Sequence, residues 1–139
     1  MIQAKTPPSH KHGYQRAYAA ARRNYGYRRM VDATVTVRMI RALRRIGYTN
    51  VAIAEGCGLG HSNHIGNLAN TSNTGPRREV YKDTAEAIAD FYWKHQNKPR
   101  TDRVARQTIA FAVKRGWASP WAYDDITNVM EQPKGVVAA

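Results

Sequence analysis

Three glycines fall within five residues at Gly56-Cys57-Gly58-Leu59-Gly60, between two short stretches of helical character. A glycine inside a helix costs about 1 kcal/mol relative to alanine, so no stable helix crosses this segment. The chain has to turn there. Before the turn, Thr49 is placed to cap a helix over 50–56 whose apolar positions are Val51, Ile53 and Ala54. After it, His61 to Ala69 reads as a second short helix with Ile65, Leu68 and Ala69 on one side. Gly58 is the turn residue expected at positive φ, which only glycine adopts cheaply. Ala54 is small where the two helices approach, and Ile53, Leu59, Ile65 and Leu68 form the wedge that sets a steep crossing.

A longer helix precedes this pair. Asp32-Ala33-Thr34 supplies N-cap candidates, Val37, Ile40, Leu43 and Ile46 point inward, and Gly47 ends the helix as its C′ residue. On the same period Arg38, Arg41, Arg44 and Arg45 are expected to cover the outside. A long helix, a short helix, a glycine turn and a second short helix are the order of a helix-turn-helix unit.

The rest of the chain reads as helix and loop. Residues 1–13 are a disordered lead-in around Pro7-Pro8, and Tyr14, Tyr18, Ala21 and Tyr25 lie on one face of a following helix. Residues 70–76 form a loop by composition. Asp83 or Thr84 is expected to cap a helix to about His95, with Ala85, Ile88, Ala89 and Tyr92 inward. Thr101 or Asp102 caps a last helix to Arg115, with the stripe Ala105, Ile109, Ala112 and Val113 and with Gly116 as its stop. Trp117, Pro120, Trp121 and Tyr123 read as a structural lid on the core, and residues 128–139 show no period and are expected to be mobile. No strand signal competes. The predicted fold is all-α, a helix-turn-helix bundle of about five to six helices. Its expected parts are a basic N-terminal arm and helix (1–31), a helix-turn-helix core (32–76), a C-terminal helical subdomain (77–126) and a flexible tail (127–139).

Charge points to the partner. The 139 residues carry a formal net charge of +12, with 22 Lys and Arg against 10 Asp and Glu. Residues 1–50 hold eleven of the basic side chains and a single acid, Asp32, whereas residues 51–139 are nearly balanced. Between Arg45 and Arg77 there is no Lys or Arg, and Glu55 is the only charged side chain. Such a surplus favours a polyanion, because each basic group set against a phosphate releases a condensed counterion. A neutral reading helix between basic flanks separates two tasks: charged groups hold phosphates, and amides and hydroxyls read bases. The partner expected is therefore double-stranded DNA. Ser62, Asn63, His64 and Asn67, on the outer side of a reading helix over 61–70, are the candidate base-reading residues in the major groove. Arg16, Arg22, Arg23, Arg28, Arg29, Thr49, Asn50, Arg77 and Arg78 are the candidate backbone contacts. The rivals are an excisionase-like or architectural DNA-bending protein, and a protein-binding helical adaptor that the basic arm tethers to nucleic acid.

Other chemistries find little support. One cysteine, Cys57, allows neither an internal disulfide nor a multi-cysteine zinc site, and its apolar turn makes it a buried, inert thiol. His61, Asn63 and His64 lie within one helical turn, unlike a His-Asn-His nuclease, and His10 with His12 lacks a third ligand. No Gly-x-Ser-x-Gly elbow is present, and Asp124-Asp125 reads as a cap or solvated loop. The expectation is a non-enzyme with no cofactor and no metal. With no apolar run of 18 residues and no apolar leader at Met1–Pro8, it is expected to be soluble and cytoplasmic in a bacterial host, associated with the nucleoid.

Several segments also resemble a known family. Arg29-Met30-Val31-Asp32-Ala33-Thr34, Val37 to Thr49, Ile53-Ala54 and Gly58-Leu59 are similar to the helix-turn-helix proteins of actinobacteria and their temperate phages. The similarity extends through Asp83-Thr84-Ala85 to Arg115-Gly116-Trp117-Ala118-Ser119-Pro120-Trp121-Ala122-Tyr123-Asp124-Asp125, covering roughly residues 29–126. It departs in the turn, where one residue is added between Gly58 and Ile65, and Gly66-Asn67 stands where the family usually has Ser-Arg. The resemblance implies a DNA-binding repressor of the phage immunity type. The ending Gly135-Val136-Val137-Ala138-Ala139 is similar to small-apolar degradation tags, such as those on some temperate mycobacteriophage repressors, which would add a host protease as partner. A frayed terminus explains the same residues.

Overall fold

The computed structural model describes residues 29–71 and 79–135. In chain order the elements are β1 (Met30–Asp32), α1 (Thr34–Arg45), α2 (Asn50–Gly56), α3 (Ser62–Ala69), β2 (Glu79–Tyr81), α4 (Lys82–His95), α5 (Arg103–Lys114) and a 3-10 turn at Pro120–Ala122. Five helices dominate, as expected of an all-α bundle. Residues 1–28, with the expected tyrosine-bearing helix, and residues 136–139 lie outside the described residues.

Helix α1 is the axis of the bundle, in contact with α2, α3, α4 and α5. Its apolar positions Ile40, Leu43 and Ile46 are essentially inaccessible, with Met39 and Ala42 beside them. Burying an Ile or Leu side chain of this kind stabilises a fold by roughly 1.5–3 kcal/mol. Asp32 accepts the Thr34 amide proton at 2.8 Å, although Ala33 occupies the N-cap position itself. At the other end the Gly47 and Tyr48 amides bond back to the carbonyls of Arg44 and Leu43, and Gly47 sits at φ 106°. That left-handed residue is what closes the helix there.

The outer side of α1 differs from expectation. Arg38, Arg41 and Arg44 are half-buried and engaged rather than free in solvent. Arg38 is held by the chain after α5, Arg41 by the end of α3 and Trp117, and Arg44 by α2, α5 and Trp117. Arg38 donates to the carbonyls of Asn128 (2.9 Å), Val129 (3.1 Å) and Glu131 (2.8 Å), and lies over the Tyr123 ring. Arg41 donates to the carbonyls of Ala69 (2.8 Å) and Thr71 (2.6 Å) and stacks on Trp117. Arg44 donates to Asn50 Oδ1 at 2.7 Å and packs against Phe111 and Trp117. Burial pulls the pKa of Arg41 and of Arg44 below the ordinary arginine value. These guanidiniums act as internal clamps: the planar fork of donors lets Arg38 hold three carbonyls and Arg41 two, while Arg44 holds the Asn50 side chain. Arg45 is likewise only partly exposed.

The same clamp bears on the stretch read as a tail. Over its described part, to Gly135, the chain returns onto the body: beyond the three carbonyls held by Arg38, the Lys134 amide donates to the Ala122 carbonyl at 2.8 Å, and Lys134 Nζ to Asp124 at 2.7 Å. Irregular backbone is held here through its carbonyls, which no periodicity of side chains announces.

Two strands, where none was expected, close the bundle's edge. β1 and β2 pair antiparallel, Met30 with Tyr81, Val31 with Val80 and Asp32 with Glu79. The pairing brings the Lys82 amide to the Arg29 carbonyl at 2.6 Å. That bond satisfies an orphan donor of α4, so the helix starts at Lys82 with Tyr81 as N-cap rather than at a side-chain cap on Asp83 or Thr84. On α5 the buried stripe is Ala105, Thr108 and Ala112; Ile109 is only half-buried and Val113 is exposed. Thr108 replaces them inward because its hydroxyl bonds the Val104 carbonyl at 3.0 Å, which removes the cost of burying it. Of the two tryptophans read as a lid, Trp117 enters the core and Trp121 stays exposed.

Candidate nucleic-acid interface

Thr49 begins the unit as expected: its Oγ1 accepts the Ala52 amide proton at 3.0 Å and caps α2. The helix ends at Gly56, where an added Cβ would stand 2.1 Å from the Phe91 ring of α4. Gly58 then takes φ 74° with open space around its Cα, so only its backbone conformation demands glycine. Leu59 follows, with its amide bonded to the Ala54 carbonyl at 2.8 Å. Ile53, Ile65 and Leu68 are fully buried, Ala54 nearly so, and Leu59 packs against the core from its edge. The wedge read from the sequence is therefore assembled, and it presses α3 against both α2 and α1.

Burial of Ile65, Leu68 and Ala69 fixes the roll of α3. The opposite face carries Asn63, Asn67 and Asn70, at i, i+4 and i+7, all exposed. His64 is exposed on one flank of this stripe, and Ser62, half-buried, lies on the other with Gly66. Four candidate base-reading residues, Ser62, Asn63, His64 and Asn67, thus share one helix, with Asn63 and Asn67 facing outward most directly. Asn70, the C-cap of α3, completes the row and was not singled out from the sequence. The i+7 spacing from Asn63 was the available signal.

Gly66 faces Asn50 of α2: a Cβ there would meet Asn50 Nδ2 at 3.1 Å. Asn50 is in turn held by Arg44, so it serves the α2–α3 crossing at least as much as any outside ligand. Beyond Arg44 lie Phe111 and Arg115 of the α5 end. Arg115 stacks on the Phe111 ring at 4.6 Å, and its Nη1 donates to Asn70 Oδ1 at 3.3 Å. A continuous surface therefore runs from the asparagine row to the C-terminal end of α5.

Among the expected backbone contacts, Arg29 is exposed beside β1, and Thr49 and Asn50 sit at the start of α2. Arg16, Arg22, Arg23, Arg28, Arg77 and Arg78 lie outside the described residues, as do Val136, Val137, Ala138 and Ala139. Cys57 is half-buried rather than buried, in a shallow cavity of about 340 Å³ with Gly56, Ala87, Asp90, Phe91, Lys94 and His95. Burial, with Asp90 adding to it, pushes its thiol up to about 11. Among the described residues no three His, Cys, Asp or Glu side chains converge as metal ligands, and no helix is long and apolar enough to cross a membrane.

Comparison with known proteins returns no match: no family model, no curated protein and no solved structure matches this chain.

Proposed function

We propose that this protein binds double-stranded DNA sequence-specifically, inserting α3 into the major groove. The observation that carries the reading is the row Asn63, Asn67 and Asn70: uncharged, exposed, and mounted on a helix whose roll is locked by three buried apolar side chains. Asparagine amides pair bidentately with adenine N6 and N7, and a rigid mount lowers the entropy lost on pairing. The finer reading, a repressor of the phage immunity type that acts by occupying an operator, rests on the sequence resemblance alone. So does a host protease acting on Val136-Val137-Ala138-Ala139; Ala138→Asp with Ala139→Asp should lengthen the half-life in a host cell, and an unchanged half-life removes that partner.

Selection from a random duplex pool tests the main reading. A preferred sequence should emerge, and Asn63→Ala or Asn67→Ala should cost about 1–3 kcal/mol on that sequence while leaving random duplex unaffected. Equal losses on both would refute base reading by α3. The exposed rings of Trp93 and Trp121 are the observation behind the second reading, an adaptor whose C-terminal helical part binds a protein. It predicts binding that depends on salt and prefers no sequence.

A further inference from the structure

We propose that the outward face of α5 is a second DNA contact, gripping phosphates along the lip of the groove that α3 enters. The inference rests on the DNA-binding reading above and supplies it with an anchor among the described residues.

The surface charge of the described body is lopsided. From Arg100 to Arg115 there are five basic side chains, Arg100, Arg103, Arg106, Lys114 and Arg115, and all are exposed. The only acid in that stretch is Asp102, which is already engaged as N-cap of α5 and by Arg100. Helix α4 instead mixes Lys82 and Lys94 with Asp83, Glu86 and Asp90, and the C-terminal segment sets Asp124, Asp125 and Glu131 against Lys134 alone. A polyanion approaching this body therefore meets its favourable field at α5. With Ala105, Thr108 and Ala112 buried, the helical period puts Arg103 and Lys114 on the opposite side, while Arg106, which donates to the Thr101 carbonyl at 3.0 Å, lies on the flank turned away from Arg115.

Position makes this face relevant to α3. At its N-terminal end α5 is tied to the start of the helix-turn-helix: the Arg100 amide bonds the Ile46 carbonyl at 2.9 Å, and Ala105 abuts Gly47. At its C-terminal end Arg115 reaches Asn70, the last residue of the asparagine row, at 3.3 Å. α5 thus meets the unit at two points, beside the Ile46-Gly47 turn that precedes α2 and, through Arg115, at the end of α3. Arg103 and Lys114 stand about 16 Å apart along the axis at 1.5 Å per residue, enough to follow the edge of a groove about 12 Å wide. Arg115, seated on Phe111 at 4.6 Å, is held at the junction of the two surfaces.

The test is the salt dependence of duplex binding for Arg103→Gln with Lys114→Gln, both on exposed positions, with an unchanged urea midpoint as the folding control. Loss of two phosphate contacts should lower the slope of log K against log salt by about 1.8 and weaken binding about 30-fold near 0.15 M salt, equally on preferred and random duplex. Lys94→Gln on α4 should leave the slope unchanged. An unchanged slope in the double variant overturns the proposal, as does an equal drop for Lys94→Gln. If the slope stays put while Asn63→Ala still loses the preferred sequence, only the α5 contact fails and DNA reading by α3 stands. If the slope falls but no sequence is preferred, the α5 contact stands and base reading fails.

Discussion

Gly56→Ala isolates the contact that seats the helix-turn-helix on the rest of the bundle. Gly56 is the last residue of α2, and its φ is not in the left-handed region. On propensity alone, alanine there would stabilise the helix by up to about 1 kcal/mol. The structure predicts the opposite sign, because the new Cβ would lie 2.1 Å from Phe91 Cε1 and 2.4 Å from Cδ1. Ordinary contact begins beyond 3.4 Å, so the ring or the helix must shift by more than an ångström. Phe91 is buried and held by two rings, stacked on His95 at 4.1 Å and edge-on to Tyr48 at 5.6 Å, so moving it off Gly56 toward the neighbouring cavity breaks those contacts. Overpacking of this kind costs about 1–3 kcal/mol, which exceeds the gain in propensity. The assay is urea denaturation of a double-mutant cycle with Phe91→Ala. Phe91→Ala alone should cost about 3–5 kcal/mol. In that background Gly56→Ala should become neutral or stabilising, because the ring it strikes is gone. Equal effects of Gly56→Ala in both backgrounds would refute the reasoning.

Further expectations concern the cap, the thiol and a carboxylate. Thr49→Ala removes the cap of α2 and should cost about 1 kcal/mol in denaturant stability, with Thr49→Ser recovering most of it; equal losses for both would contradict the cap. Cys57, with its thiol pushed to about 11, should alkylate far more slowly at pH 8 in the native state than in urea; equal rates would contradict the burial. Asp102 is held below the ordinary carboxylate range, first by the Ala105 amide and then by Arg100. Its folded pKa is depressed, so its contribution is fully present above about pH 4 and is lost as pH falls through the folded value. The stability difference between wild type and Asp102→Asn should therefore shrink on acidification, and a difference that grows would contradict the sign.

What the sequence made legible was local stereochemistry. Thr49 as a cap, Gly47 as a helix end and Gly58 as a left-handed turn each follow from one residue's own conformational options, and all three stand where they were read. The outward face of α3 was legible for the same reason, since the three buried residues Ile65, Leu68 and Ala69 fix the roll of so short a helix. What escaped depends on partners distant in the chain. Three-residue strands carry no period, and β1 exists only because β2 returns to it. The arginines of α1 follow the polar side of a helical wheel, yet distant chain meets each of them: Asn128 to Glu131 for Arg38, the end of α3 for Arg41, and Asn50 with Trp117 for Arg44. Hydropathy favoured Ile109 and Val113 on α5, whereas a threonine that bonds its own helix can be buried instead. The basic face of α5 had a visible sign, the absence of any acid from Arg103 to Arg115, but which way it faces depends on that same choice of stripe.

What α3 touches is measured directly by a crystal structure of the protein with a duplex chosen by selection. The expected result is the side-chain amides of Asn63 and Asn67 within hydrogen-bond distance of base edges in the major groove. The row facing solvent or another polypeptide, with DNA held elsewhere, would contradict it.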